Sequence, residues 1–252
     1  MGTYQRHTGE RLTEIYNQLY SALGCSHWWP AASELEIVIG AILTQNTAWS
    51  NVEKALSNLD RHNLLPRRIE GTSTFAICPE EAGRGLLDLS EDELGELIRS
   101  AGFYRIKARR LKAALAFFGE ICSFDLPWLA ASRRHETESL RYSLLGLTGV
   151  GPETADSILL YALNRPTFVV DAYTMRLFGR HNLLPPETGS PRASRYESVR
   201  AMFMEALDGS PAMYNEYHAL VVRACKTWCR KKAPNCPACP LGRGLWGWQN
   251  RP

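Results

Sequence analysis

Three groups of residues have types and spacings that suit chemistry. The stretch LTGVGPETADSILLYALNRPTFVVD (Leu147 to Asp171) sets two glycines and a proline at the mouth of an apolar run. Gly149 and Gly151 let a backbone turn tightly and approach another surface closely. Gly151 suits a helix N-cap and Pro152 the first helical position, where a missing N–H matters least. N–H groups at such a start form a site for an anion such as a phosphate. The second group is CKTWCRKKAPNCPAC, spaced C-x3-C-x6-C-x2-C. Four cysteines so close in a cytosolic chain argue for metal rather than disulfides. The set suits a [4Fe–4S] cluster or a four-cysteine zinc site, with four reduced thiols as the plain alternative. The third group is Trp28, Trp29 and Pro30 together with Trp49. Core packing is the ordinary role of tryptophan, but adjacent helical positions point in different directions, which argues against one shared core face.

The elements that must position these residues read as helices almost throughout. Leu12, Ile15, Tyr16, Leu19 and Leu23 follow a three-four pattern, and Leu35 to Leu43 is apolar nearly all round, as a central helix would be. Further helices are expected around Val52 to Leu59, Leu111 to Phe118, Leu140 to Leu144 and Val199 to Leu207. Ser90 and Glu93 form a capping-box pattern ahead of a helix that Gly102 should stop. Loops are expected over Arg67 to Gly85, Ser123 to His135 and Pro185 to Ser194. Few stretches alternate with period two, so the fold class is all-α.

The chain has 252 residues, 45% hydrophobic and 22% charged, with a net charge of +3 and a pI near 8.5. That balance permits nucleic-acid binding without demanding it, and basic charge concentrates in YRIKARRLK (Tyr104 to Lys112) and KTWCRKK (Lys226 to Lys232). Cys25, Cys78 and Cys122 stand singly and read as small buried or half-buried residues. No apolar stretch approaches the roughly 20 residues that span a bilayer, and MGTYQRHTGE lacks the pattern of a secretory signal. A cytoplasmic monomer without a membrane partner is the expectation, nucleoid-associated if the chain is bacterial or archaeal.

The order of motifs narrows the reading. AILTQNTAWSNVEKAL (Ala41 to Leu56), AGFYRIKARRLKAAL (Ala101 to Leu115), the Gly149–Gly151 hairpin, VVDAYTMRLFGR (Val169 to Arg180) and the Cys-rich tail closely resemble, in sequence order, the endonuclease III superfamily of helix-hairpin-helix DNA glycosylases. The resemblance implies two helical lobes. Residues 33–164 would form a barrel-like lobe with the hairpin; residues 1–32 and 165–252 would form the other, with the cluster loop, and an active cleft would lie between them. It makes Asp171 the catalytic carboxylate, placed to stabilise an oxocarbenium-like C1′ and to orient water. For a lone Asp without that resemblance, a helix cap or surface role is the plain reading. Bifunctional relatives carry a Lys two residues after the second hairpin glycine, where this chain has Glu153. A carboxylate cannot form a Schiff base, so base removal by water without a lyase step is expected. Lys107 is the other amine considered, with a phosphate contact or a solvated charge as its plainer role.

The pattern WWP with an aromatic after TQNT resembles the 3-methyladenine glycosylase branch, in which Trp28, Trp29, Pro30 and Trp49 would line the base pocket. N3-methylated adenine is cationic and a good leaving group, and aromatic faces attract cations by roughly 0.5–2 kcal/mol. Gln45 would fill the stack that the flipped base vacates, or else hydrogen-bond within the protein. Gly149, Gly151 and Thr154 would meet the DNA backbone, as would Arg230, Lys231 and Lys232, for which a solvated basic turn is the alternative. YRIK would add backbone contacts or serve as helix-start packing. Carbonyls of Leu145, Leu147 and Val150 match the places where such hairpins hold a monovalent cation. Cys229, Cys236 and Cys239 match the family's first three iron–sulfur ligands; the fourth position is Leu245, and Cys225, one turn before Cys229, is offered in its place. Double-stranded DNA with a damaged base is the expected partner. The rival readings are a glycosylase for uracil, mismatched or oxidised bases, and a non-catalytic DNA-binding damage sensor.

Overall fold

The computed structural model describes residues 2–132, 135–186, 192–207 and 209–242, with the backbone alone for 2–6 and 192–194. Helices dominate, and the chain divides into two compact units, Trp29–Arg165 and the paired segments Met1–Trp28 and Pro166–Pro252. Leu245 lies outside the described residues.

The contiguous unit is built on α2 (Glu34–Leu43), started by Ser33, whose hydroxyl accepts the Glu36 N–H at 3.2 Å. Leu35 and Ile37 to Leu43 are all buried, so this helix can pack on every side. It touches α3 (Trp49–Arg61), α6 (Tyr104–Cys122), α7 (Leu126–Ala131) and α9 (Pro152–Ser157). The remaining helices are α4 (Pro79–Asp88), α5 (Glu91–Leu97) and α8 (Thr137–Leu145).

Two expected loops contain structure. Between 67 and 85 stand a small antiparallel pair, β1 (Arg67–Arg68) and β2 (Phe75–Ile77), and the start of α4. Cys78 begins α4: its sulfur accepts the Glu81 N–H and the Glu81 carboxylate returns to the Cys78 N–H, a capping box built on a thiol. Within 123–135 lies α7, started by Asp125 and by Pro127 in the first turn. Both starts use a polar cap with proline, a signal masked in sequence by the short apolar runs that follow. The Ser90–Glu93 box is present, but α5 ends at Leu97; a 3-10 turn, Arg99–Ala101, intervenes before Gly102, which takes φ +68°. Of the three scattered cysteines, Cys122 is buried and Cys78 half-buried, whereas Cys25 is exposed, contrary to expectation.

The hairpin joins α8 to α9 through Gly149, at φ +80°. An added Cβ at Gly149 would also meet the Arg110 side chain, which would have to move aside; the positive φ is what requires glycine. Gly151 is extended, and a Cβ there would meet only open space. Nothing among the described residues requires that glycine. The two hairpin helices are locked by Arg141 and Asp156, both buried, whose bidentate pair measures 2.8 and 3.0 Å. The expected apolar helix after Ser157 is a π-helical turn, Ile158–Ala162, closed by the Leu163 N–H on Ile158 O. Such insertions occur often at functional sites.

In the discontinuous unit, α1 (Gly2–Leu23) buries Leu12, Ile15 and Leu19 completely against α11 (Arg192–Ala206) and α12 (Pro211–Thr227). Tyr217, fully buried on α12, donates its hydroxyl to Leu12 O at 2.7 Å. Phe168 stacks on Phe203 with ring centroids 3.7 Å apart, and Phe178 and Tyr217 meet Phe203 edge-on. Arg223 of α12 holds the carbonyls of Leu23 and Gly24, while Glu216 accepts both Ser26 N–H and Ser26 Oγ–H, fixing the segment that leaves α1. No helix among the described residues is long and apolar enough to cross a membrane.

Breaking a buried ion pair leaves an uncompensated charge and typically costs about 3–5 kcal/mol. Arg141→Met should therefore lower the unfolding free energy by that order, and Arg141→Met/Asp156→Leu should recover most of it. Urea unfolding of the two variants checks this; equal losses in both would show that packing, rather than charge, holds the hairpin.

Candidate functional site

Asp171 closes the FVVD stretch and caps α10 (Ala172–Arg180): its Oδ1 accepts the Thr174 N–H at 2.7 Å. A helix N-terminus suits a carboxylate through both the exposed N–H and the dipole. The residue is 9% exposed, and burial pushes its pKa up. His218, with Nε2 3.5 Å from Oδ2, and the Thr174 N–H act in the other direction and prevail, so the carboxyl sits below its ordinary range. Asp171 is thus a cap and also a water-depleted, ionised carboxylate.

The same helix carries the Cys-rich loop. Arg176 Nε donates to Cys229 O at 2.8 Å, and Arg180 donates to Arg230 O, Lys231 O and Cys229 Sγ. The backbone of Arg230 and Lys231 is therefore fastened to α10 while the side chains of Arg230, Lys231 and Lys232 stay exposed. Cys229, Cys236 and Cys239 line one small cavity with His181 and Trp228. Cys225, buried on α12, donates its thiol to Tyr173 O at 3.5 Å; the neighbouring Cys225 and Arg180 hold the Cys229 thiol low, and Cys229 raises that of Cys225. Among the described residues no group of three or more His, Cys, Asp or Glu side chains is arranged to hold a metal ion. The donor set is right for iron or zinc; closure of a coordination shell is not displayed.

In the contiguous unit, Trp29 is edge-on to Trp49 at 5.1 Å and tilted against Tyr161 at 5.2 Å between centroids. Gly40 makes the nest possible, since a Cβ there would be 3.1 Å from the Trp29 ring and 3.6 Å from that of Trp49. Trp29 and Trp49 are half-buried, so the nest is not sealed core. Trp28 is half-buried in the other unit's segment, and Pro30 is exposed. Tyr161 escaped the sequence reading because it sits inside an apolar run; the π turn that holds it has no sequence signature.

The hairpin residues meet one another rather than standing free. Gln45 Nε2 donates to Gly149 O at 3.1 Å and to Thr154 Oγ1 at 2.9 Å, and its Oε1 accepts from Arg110 at 2.6 Å. This is the intramolecular role weighed for Gln45; filling a vacated stack would require exchanging those bonds. Leu147 O closes the turn by accepting the Val150 N–H. Glu153 is exposed in the first turn of α9.

Lys107 corrects an expectation. It is neither solvated nor a phosphate contact: at 1% exposure its Nζ donates to Leu43 O at 2.8 Å and Ala101 O at 2.7 Å, terminating α2 and the 3-10 turn together. Burial, with Arg110 nearby, lowers its pKa to about 8. Tyr104 packs beside Gly95, as helix-start packing requires, whereas Phe103, at φ +47°, and Ile106 are 69% and 51% exposed.

Comparison with known proteins accords with this arrangement. The model of the HhH-GPD superfamily of base excision DNA repair proteins matches residues 39–201. A provisionally named DNA repair glycosylase of Methanocaldococcus jannaschii is 43% identical over 232 residues, covering 92% of this chain and 94% of that protein. Endonuclease III of Sulfolobus acidocaldarius is 27% identical over 81% of this chain and 78% of its own. The fold is shared with H. pylori 3-methyladenine DNA glycosylase bound to 1,N6-ethenoadenine (TM-score 0.63, 24% identity, 88% of this chain and 97% of that one). It is shared also with a trapped endonuclease III–DNA covalent intermediate (TM-score 0.67, 19% identity, 92% and 93%). The chain belongs to the HhH-GPD superfamily of base excision DNA repair proteins and is a DNA glycosylase.

Proposed function

We propose that this glycosylase is monofunctional and removes alkylated purines of the 3-methyladenine class from double-stranded DNA. The observation that carries the substrate class is the half-buried pair Trp29 and Trp49 over Gly40, with the buried Tyr161 against Trp29. Two indole rings over one glycine, with a third aromatic ring behind Trp29, suit a flat, electron-poor base. A cationic N3-methylated adenine leaves as the neutral base when the C1′–N9 bond electrons pass to it, so no general acid is needed. The positive charge that develops on the sugar is met by the Asp171 carboxylate, which also orients the incoming water and takes up its proton. Water adds at C1′, and the products are free base and an abasic site. Glu153 at the bifunctional enzymes' lysine position and the enclosure of Lys107 favour hydrolysis over Schiff-base chemistry.

On the DNA side, the open space beside Gly151, the exposed Arg230, Lys231 and Lys232, and the exposed Phe103 are assigned to the backbone and bases of the duplex. Cys225, Cys229, Cys236 and Cys239 are assigned to a [4Fe–4S] cluster, with zinc as the other metal that four thiolates suit. The convergence of Cys229, Cys236 and Cys239 on one cavity, with Cys225 four residues before Cys229, supports that assignment. Bound there, such a group would cross-link the loop, and Arg230, Lys231 and Lys232 would then be held in place by Cys229 and Cys236 on either side.

Duplexes carrying 3-methyladenine, N7-methylguanine, uracil or 8-oxoguanine, scored separately for base release and nicking, test the reading. Release of the methylated purine with nicks only after alkali is expected; nicks without alkali would overturn the monofunctional part. Release confined to uracil or 8-oxoguanine would overturn the substrate class. Asp171→Asn should slow release by about 10²–10⁴-fold while duplex binding persists.

The metal assignment has its own measurement. As-purified protein should absorb near 400 nm and contain about four irons per chain. Stoichiometric zinc would replace the cluster, and absence of both metals would leave four free thiols.

A further inference from the structure

We infer that His218 is the positioning residue for the Asp171 carboxylate, held between Phe168 and Asp171 so that one carboxylate oxygen keeps a fixed direction. This deepens the glycosylase reading and rests on Asp171 being its catalytic group.

The geometry begins with FVVD. Phe168 and Asp171 stand three residues apart on one segment, and the His218 ring enters from α12 to meet both. Its Nε2 lies 3.5 Å from Asp171 Oδ2, and the ring is close to perpendicular to Phe168 with centroids 6.5 Å apart. Phe168 is itself immobilised by its stack on Phe203 and by edge contacts with Tyr214 and Tyr217. The imidazole therefore inherits its orientation from the aromatic core of the unit. Histidine and aspartate are 7% and 9% exposed, so bulk water hardly competes for the pair.

The two oxygens of Asp171 thus have separate partners. The Thr174 N–H binds Oδ1 from the start of α10, and His218 faces Oδ2 from α12. A carboxylate capped on Oδ1 alone keeps freedom about χ2, which is broad for an Asp side chain. A second partner on Oδ2 removes that freedom, and a fixed charge direction is what stabilisation of a sugar cation demands. His218 touches no reacting atom in this scheme; it acts through Asp171.

The experiment compares His218→Leu, which removes the partner, with His218→Asn, which keeps a side-chain donor. Single-turnover base release and affinity for a duplex with a stable abasic-site analogue are measured for both. His218→Leu should slow release at least about tenfold with affinity unchanged, and His218→Asn should recover most of the rate. Release within about twofold of wild type in His218→Leu overturns the inference. So does a parallel fall of rate and affinity in both variants, the mark of a structural role. If wild-type protein releases no base from any duplex, the reading of function fails, and the pair is then judged without turnover. Carbon-13 NMR titration of the Asp171 carboxyl should move to higher pH in His218→Leu; an unmoved titration overturns the pairing.

Discussion

A carboxylate withdrawn from water must be compensated, and much of the discontinuous unit is arranged around that requirement at Asp171. Burial of a charge without partners is among the most unfavourable arrangements a fold can contain. Here the compensation comes from two directions. The first turn of α10 presents a backbone N–H and the positive end of its dipole, and α12 presents an imidazole. Each helix then needs its own anchorage. α10 is tied by Arg176 and Arg180 to the Cys-rich loop, and α12 is tied by Tyr217, Glu216 and Arg223 to α1 and the segment after it. The result is a charge whose surroundings are fixed several contacts deep.

The contiguous unit meets a different constraint, that of placing two loops and a hairpin at one edge of a helical core. Lys107 does this with a single ammonium, which binds the last carbonyl of α2 and the last of the 3-10 turn. Its lowered pKa shows that the site disfavours the charge somewhat, yet the two carbonyls would be orphaned without it. Gln45 follows directly from the end of α2 and continues the tie, reaching Gly149 and Thr154 in the hairpin while Arg110 lies against the glycine. The hairpin is thus braced on one side by this polar chain and on the other by the Arg141–Asp156 pair.

Much of this was legible in the sequence. The helical period, the N-cap and proline at Gly151–Pro152 and the Ser90–Glu93 box each depend on neighbours a few residues away, and local pattern carries them. The motifs in register pointed to Asp171 and the hairpin for the same reason. What was not legible depends on distant partners. His218 lies 47 positions from Asp171 in an apolar stretch, where a histidine reads as core. Lys107 looks solvated inside YRIKARRLK, and only the packing of α6 on α2 encloses it. Tyr161 is displayed toward Trp29 by a π turn, which no side-chain pattern announces. The short α7 was hidden because a six-residue helix has too few turns for a period to show.

The division of the chain has a consequence for its synthesis. Residues of the contiguous unit emerge as one block and find their partners within it. α1 is made well before α11 and α12, which supply the surfaces that cover Leu12, Ile15 and Leu19, and the bond from Tyr217 to Leu12 spans 205 residues. At about 5–20 residues per second, α1 waits roughly 10–40 s on the ribosome with its apolar stripe uncovered. The interval between these elements is thus one in which the apolar stripe of α1 lies open to wrong partners, and the discontinuous unit closes only when α12 has been made.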